Sequence, residues 1–359
     1  MSLIEKLKKS SKSEYTSILS ESIFFNDTEP VTTPVPMINV ALSGQLDGGI
    51  TPGWTVLAGQ SRSFKSGFSL LMAATYIKKY EDAALIFYDS EFGAPQSYFK
   101  GFGIDTDRVL HTPITNIEEL KFDIMGQLAD IERKDKVIII IDSLGNVASK
   151  KEVEDALNEK SVADMTRAKA MKSLFRMVTP NLRLKDIPVF AVAHTYKDNS
   201  AFFPTDIVGG GTGIMFGADN LWIIGRQQDK VGTEIQGYHF VIKVEKSRYV
   251  KEKSKIPISV SFNGGIMKWS GLLECGLESG WIKKPKNGWY ALYESPDDSE
   301  PIGKMVRAKD TQNSAFWGPL LTNPAFAKWI ENRYALATDE KLILDGNEQT
   351  TEEEVEDDD

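Results

Sequence analysis

The residues Gly59-Gln60-Ser61-Arg62-Ser63-Phe64-Lys65-Ser66 follow an apolar run, Val56-Leu57-Ala58, and have the residue types of a phosphate-binding loop. A glycine lets the chain turn sharply out of a strand, and the backbone N–H groups after it can curl around phosphate oxygens. Lys65 supplies a cation for β- and γ-phosphates, and Ser66 offers a hydroxyl to Mg²⁺. The helix opening at Ser66 and Gly67 turns its positive dipole end toward the same anion. One position departs from the pattern. The usual spacing G-x-x-x-x-G-K-[ST] has a second glycine where this chain has Phe64. Alone, the loop fits both a nucleotide site and a chance match.

Two carboxylates strengthen the nucleotide reading. Val137-Ile138-Ile139-Ile140-Ile141-Asp142 is a buried-type strand that delivers Asp142 at its end, where it can hold Mg²⁺ together with Ser66. Phe87-Tyr88-Asp89-Ser90-Glu91 ends a second apolar strand in acids. Glu91 is the candidate to orient and polarise an attacking water, its other reading being an acid at a helix N-terminus. His194 ends a third apolar run, 189–193, and from the residues alone reads more readily as structural.

The elements that must carry these groups alternate. Continuous apolar runs at 55–58, 85–88, 137–141, 189–193 and 221–224 have the look of parallel strands covered on both faces. Helical patterns fall at 66–79 and 152–175. The expectation is an α/β fold with a mostly parallel central sheet flanked by helices, and ligand at the carboxyl ends of the strands. Before it, 2–20 reads as a helix, and Ser22-Ile23-Phe24-Phe25 is an apolar cluster ahead of a Pro-rich link. That cluster can dock on a neighbouring subunit or on its own domain. Beyond 271 the chain turns Gly-, Lys- and Trp-rich, with a terminal helix at 324–336. The division expected is residues 1–35 as an N-terminal oligomerisation segment, 36–270 as the core, 271–338 as a small lobe and 339–359 as an acidic disordered tail.

Composition sets outer limits. The chain has 359 residues, 41% hydrophobic and 26% charged, as in ordinary soluble proteins. A single cysteine, Cys275, excludes an intrachain disulfide, and with three histidines no zinc cluster can be built, which favours a reducing, cytoplasmic setting. The net charge of −9 is segregated: Glu348, Glu352, Glu353, Glu354, Glu356, Asp357, Asp358 and Asp359 account for nearly all of it. Such a tail is either a solubilising appendage or an electrostatic competitor for a basic groove.

The segment 196–210 is long and polar, holds Lys197, Phe202 and Phe203, and leads into Gly209-Gly210-Gly211-Thr212-Gly213. Long loops in compact domains are commonly functional, and aromatics there can stack on bases while cations meet phosphates. The residues do not themselves choose DNA over another ligand.

With the phosphate loop, Tyr88-Asp89-Ser90-Glu91-Phe92-Gly93, Ile141-Asp142-Ser143-Leu144-Gly145-Asn146 and the glycine run all quoted, the chain resembles the RecA family of recombinases. Within that family it is similar to the branch of T-even-type bacteriophages, over about residues 23–336. Phe64 is a mark of that branch. The resemblance implies a RecA-type ATPase core and a single-stranded-DNA-dependent ATPase that uses ATP and Mg²⁺. It implies a helical filament on single-stranded DNA, pairing with homologous duplex DNA, and phage recombination, repair and replication in the host cytoplasm. A recombination mediator and a single-strand DNA-binding protein are the partners it suggests. Residue by residue, Glu91 is the general base and Asp142 the Mg²⁺-associated carboxylate. Tyr98 stacks on adenine, and His194 senses the γ-phosphate where bacterial members have glutamine. Lys246 and Arg248 reach the neighbouring subunit's ATP. DNA contact falls on 155–162 with Arg167 beyond it, and on Lys197, Phe202, Phe203 and Gly209–Gly211. Lys283, Lys284 and Lys286, beside Trp281, Trp289 and Tyr290, suit a duplex-DNA gateway or a surface lobe with core tryptophans. The alternatives are a ring helicase on the same core and a binding module with negligible turnover.

Overall fold

Burial decides which segments become strands. In the computed structural model, which describes residues 1–26, 29–158, 166–198 and 205–336, Gly53–Gly59 forms β1 with all seven positions buried. Among the described residues three α-helices precede it: α1 (Leu3–Ser10), α2 (Ile23–Asn26) and α3 (Pro36–Ser43). After β1 come α4 (Lys65–Lys79), β2 (Ala84–Asp89), α5 (Gln96–Gly101), β3 (Val109–Pro113), α6 (Ile117–Asp130) and β4 (Val137–Asp142). Then follow α7 (Lys150–Leu157), α8 (Thr166–Lys185), β5 (Pro188–Asp198), β6 (Thr205–Val208) and α9 (Thr212–Gly217). A long antiparallel hairpin, β7 (Asn220–Val231) and β8 (Glu234–Lys246), leads to β9 (Lys255–Ser261) and the short β10 (Gly265–Ile266). The remainder is α10 (Leu272–Glu278), a three-stranded sheet of β11 (Ile282–Lys286), β12 (Trp289–Leu292) and β13 (Ile302–Arg307), and the helices α11 (Ser314–Leu321) and α12 (Pro324–Tyr334).

The main sheet runs β10-β9-β8-β7-β1-β5-β4-β2-β3, with β6 paired to β5. From β7 to β3 neighbouring strands are parallel, and β8 to β10 extend the sheet antiparallel. This is the mostly parallel α/β architecture expected. Side chains alternate between two cores: Ile138 and Ile140 of β4 belong to the one that also holds buried residues of α3, α4 and Trp317 of α11, while Ile139 and Ile141 belong to the one shared with α6 and α8. Burial on both faces accounts for the unbroken apolar runs of the central strands. β9 alternates buried and half-buried positions, a pattern that a search for continuous runs passes over.

Several expectations change. The helix expected at 2–20 stops at Ser10, although Ser2 and Glu5 form a capping box at its start. Ser10 Oγ bonds the Leu7 carbonyl, and Ser11 Oγ pairs with Thr16 Oγ1 at 2.6 Å, so serine side chains compete with the helical ladder. The helix expected at 152–175 is two helices, α7 opening on a second capping box from Ser149 and Glu152. The loop expected at 196–210 is in part a hairpin, with Thr195 opposite Val208 and Lys197 opposite Asp206. Phe24 of the N-terminal apolar cluster meets its own chain, under the Arg133 guanidinium at 5.1 Å and against Tyr15. Phe202, Phe203 and the acidic tail lie outside the described residues, as does part of 155–162. Among the described residues, no helix is long and apolar enough to cross a membrane.

Candidate nucleotide site

The turn out of β1 needs Gly59, because a Cβ there would lie 2.6 Å from Ser63 Oγ and 2.8 Å from the Ile224 carbonyl. Phe64 then adopts the left-handed region, φ 60° and ψ 23°, as the residue preceding α4. A glycine reaches that region without strain; phenylalanine does not. Its ring is held by aromatic neighbours, stacked on Phe240 at 5.6 Å and edge-on to Phe68 at 5.3 Å. The ring also excludes any side chain at Gly67, whose Cβ would fall 2.4 Å from Phe64 Cε1. An aromatic cluster thus stands where the usual loop has backbone freedom.

Lys65 is buried and folds back on the loop. Its Nζ donates to the carbonyls of Gly59 (3.1 Å) and Gln60 (2.8 Å) and to Ser63 Oγ (3.3 Å). Burial holds its ammonium below the ordinary lysine value, with Asp142 and Glu91 opposing. Ser66 Oγ donates to Asp142 Oδ2 at 2.5 Å, while buried Asp142 Oδ1 has no hydrogen-bond partner. Burial, with the charges of Glu91 and Asp89, pushes the Asp142 carboxyl up to about 6 despite the Ser66 bond. An orphaned carboxylate oxygen beside a hydroxyl fits Mg²⁺. Among the described residues no group of three or more His, Cys, Asp or Glu is placed to hold a metal.

Glu91 stands across the cleft. Its Oε1 accepts from Ser143 Oγ (2.6 Å) and Asn146 Nδ2 (2.8 Å), and meets His194 Nε2 at 2.8 Å. Burial pushes the Glu91 carboxyl up, but the Ser143 and His194 hydrogen bonds, with the charges of His194 and Lys65, outweigh it and hold it below its ordinary value. The group is a carboxylate at neutral pH, with one oxygen saturated and Oε2 left for other work. Ser143 and Asn146 were visible in the sequence motif, but their convergence on one oxygen needs the tertiary structure.

A cleft of about 950 Å³ joins these groups. Lys65, Glu91, Asp142 and His194 line it with Tyr98 of α5, and Arg226, Tyr238 and Phe262 are further lining residues that the sequence reading missed. The Tyr98 ring packs edge-on to Phe102 at 5.4 Å. His194 lies where β5 passes beyond the sheet into the β5–β6 hairpin, and its carbonyl accepts from Gly209 N–H at 2.7 Å. The residue touching Glu91 therefore also holds the base of the hairpin.

Other expected site residues lie elsewhere. Arg167, expected at DNA, donates to the carbonyls of Val147 (2.9 Å), Gly145 (2.6 Å) and Leu144 (3.4 Å), bracing the loop that carries Asn146. Lys197 is paired with Asp206 at 3.0 Å across the hairpin. Gly209, Gly210 and Gly211 form the turn into α9, the last two at positive φ. Lys246 Nζ donates to the carbonyls of Met215, Phe216 and Ala218 at the end of α9, and Arg248 pairs with buried Asp219. Asp219 also accepts from Trp54 N–H at the start of β1. Both cations thus sit at the opposite end of the parallel strands from Gly59. At about 3.3 Å per residue, Trp54 is roughly 16 Å back from that loop.

The whole-chain comparison decides what this arrangement belongs to. Residues 19–267 match the RecA N-terminal domain. The chain belongs to the RecA family. Residues 269–330 match the C-terminal domain of the bacteriophage T4 recombination and repair protein. The recombination and repair protein of Enterobacteria phage T4 is 51% identical over 349 residues, 96% of this chain and 88% of the T4 protein. RecA-family similarity extends to the RecA protein of Streptomyces rimosus, 26% identical over 301 residues and 78% of each chain. The RecA protein of Legionella pneumophila is 26% identical over 278 residues, 76% of each. These matches are to recombination proteins and favour a recombinase over a ring helicase.

Proposed function

We propose that this RecA-family chain is a single-stranded-DNA-dependent ATPase that assembles into a filament on DNA and pairs it with a homologous duplex. The observation that carries the proposal is the division of its charged groups between two ends of one sheet. Lys65, Glu91 and Asp142 share a cleft at the carboxyl ends of β1, β2 and β4, while Lys246 and Arg248 lie at the other end. Cations so placed cannot reach their own cleft. They serve a neighbour's, which makes turnover and assembly one coupled event.

In this reading Lys65 leaves its loop carbonyls for the β- and γ-phosphate oxygens, and the backbone amides of Gln60–Gly67 cradle the rest. Ser66 and Asp142 would hold Mg²⁺, which when bound neutralises charge on the phosphates. Glu91 Oε2 takes a proton from the water that attacks the γ-phosphorus, while Ser143, Asn146 and His194 hold Oε1 still. Tyr98 offers its ring face to the base. Loss of the γ-phosphate changes what His194 contacts, and the Gly209 bond passes that change to the hairpin proposed to touch DNA. The test is ATP turnover with and without single-stranded DNA, alongside formation of joint molecules between homologous strands. Glu91→Gln should lower turnover at least ~100-fold, the lower end of the range for a positioned acid–base group, and spare ATP-dependent DNA binding. Stimulated turnover with unwinding but no joint molecules would refute the proposal.

A further inference from the structure

Asp89 ends β2 and is 3% exposed, yet the reaction outlined above gives it no part. Its Oδ1 accepts two backbone N–H groups, those of Glu91 (3.0 Å) and Phe92 (2.7 Å). Those bonds define the turn on which Glu91 stands. Phe92 occupies it at φ 55°, a left-handed conformation that is strained for a non-glycine residue. The carboxylate therefore holds the turn against its own strain. Its second oxygen, Oδ2, meets His111 Nε2 at 3.2 Å. His111 reaches it from the edge strand β3, opposite Phe87 in the β2–β3 register, with its ring stacked on the Phe87 ring at 5.8 Å and 23°.

We propose that His111 is a positioning residue for Glu91, acting through Asp89. The inference rests on the reading of Glu91 as the water-activating base. Because a carboxylate only accepts, the imidazole presents Nε2–H to it. His111 is half-exposed, so removing it replaces a fixed donor with mobile water at Oδ2 and frees the carboxylate to turn toward other donors. Any such turn moves Oδ1 away from the two amides and releases the backbone under Glu91. The Glu91 side chain stays tied at Oε1 by Ser143, Asn146 and His194, so its displacement is partial. His111 does not line the nucleotide cleft. Its loss should change the chemical step and leave ATP binding alone.

A separate cavity of about 220 Å³ adds a direct test, since His111 lines it together with Phe87, Ala94, Phe99 and Val109. Truncation at 111 opens the Asp89 carboxylate to this space, which has room for a free imidazole. The experiment compares His111→Ala, His111→Gln and Glu91→Gln in DNA-stimulated ATP hydrolysis, with thermal unfolding run beside it. Glutamine places its amide Nε2 close to where the histidine has its own. His111→Ala should lower kcat about tenfold with KM for ATP unchanged, a modest part of what ~1 Å of misplacement can cost. His111→Gln, or imidazole added to His111→Ala, should restore most of the loss. Unchanged kcat in His111→Ala, with Glu91→Gln inactive, overturns the inference and leaves the base reading standing. Equal losses in the alanine and glutamine variants without imidazole rescue overturn it in favour of a structural role. Full turnover in Glu91→Gln removes both.

Discussion

The aromatic cluster under the phosphate loop predicts an unusual coupling between two neighbouring positions. Replacing a helical glycine with alanine ordinarily gains about 0.5–1 kcal/mol. At Gly67 the added Cβ would lie 2.4, 2.6 and 2.8 Å from three atoms of the Phe64 ring, its three nearest neighbours. Forcing a ring out of such a contact costs about 1–3 kcal/mol, and Phe64 cannot move without disturbing its packing on Phe68 and Phe240. Gly67→Ala should therefore destabilise the native chain by up to roughly 2.5 kcal/mol, the overpacking cost less the helix gain. Phe64→Gly removes the ring and relaxes the left-handed backbone, a relief of about 1–2 kcal/mol set against lost aromatic contacts of about 0.5–1.5 kcal/mol each. In that background Gly67→Ala should become neutral or stabilising. The assay is urea unfolding of the four proteins of the cycle, followed by tryptophan fluorescence. The expected coupling is about 1–3 kcal/mol. If Gly67→Ala destabilises both backgrounds equally, Phe64 is not what demands the glycine and the reasoning fails.

Two further predictions concern charge. Burial pushes Asp142 up to about 6 from an ordinary 3.8, so the folded state holds this proton more tightly than the unfolded chain. The stabilisation from protonation is full below about 4 and is lost as pH rises through about 6. Asp142→Asn should match the native stability at low pH and exceed it above about pH 6, by on the order of 2–3 kcal/mol without nucleotide. Calorimetric unfolding across that window checks this, and a pH-independent difference would contradict it. The second prediction is complementation: Glu91→Gln and Lys246→Met are each inactive alone but active when mixed. A random equal mixture recovers about one quarter of native turnover if each interface draws Glu91 and Lys246 from different subunits. No recovery, measured as ATP hydrolysis over a range of mixing ratios, would mean that Lys246 does not act across an interface.

What the sequence made legible was whatever depends on local pattern. The buried parallel strands, the loop after β1 and the carboxylates ending β2 and β4 follow from apolar runs and short motifs. Features set by distant partners escaped. Serines at 10 and 11 end α1 through side-chain bonds that helical periodicity does not register. The polar run after His194 folds as a hairpin because its return strand pairs with it, not because of its own composition. Arg167 was placed at DNA by the family resemblance, and the motif does not show that its guanidinium also donates to three carbonyls of the β4 loop. Three donors on Glu91 Oε1 come from two different strand ends, and the lining residues Tyr238 and Phe262 come from β8 and the turn after β9.

The separation of the Lys246–Arg248 pair from the Gly59 end has a consequence for counting. If every cleft is completed by the next subunit, a stack of n chains holds n − 1 working clefts, and one terminal cleft stays bare. Turnover per chain then grows with stack length, from about half its limiting value in a pair to about nine tenths in ten. The two termini are chemically unlike: one exposes an unserved cleft, the other exposes cations with nothing to serve. In such a stack the interior clefts turn over while ATP in the bare terminal cleft stays unreacted.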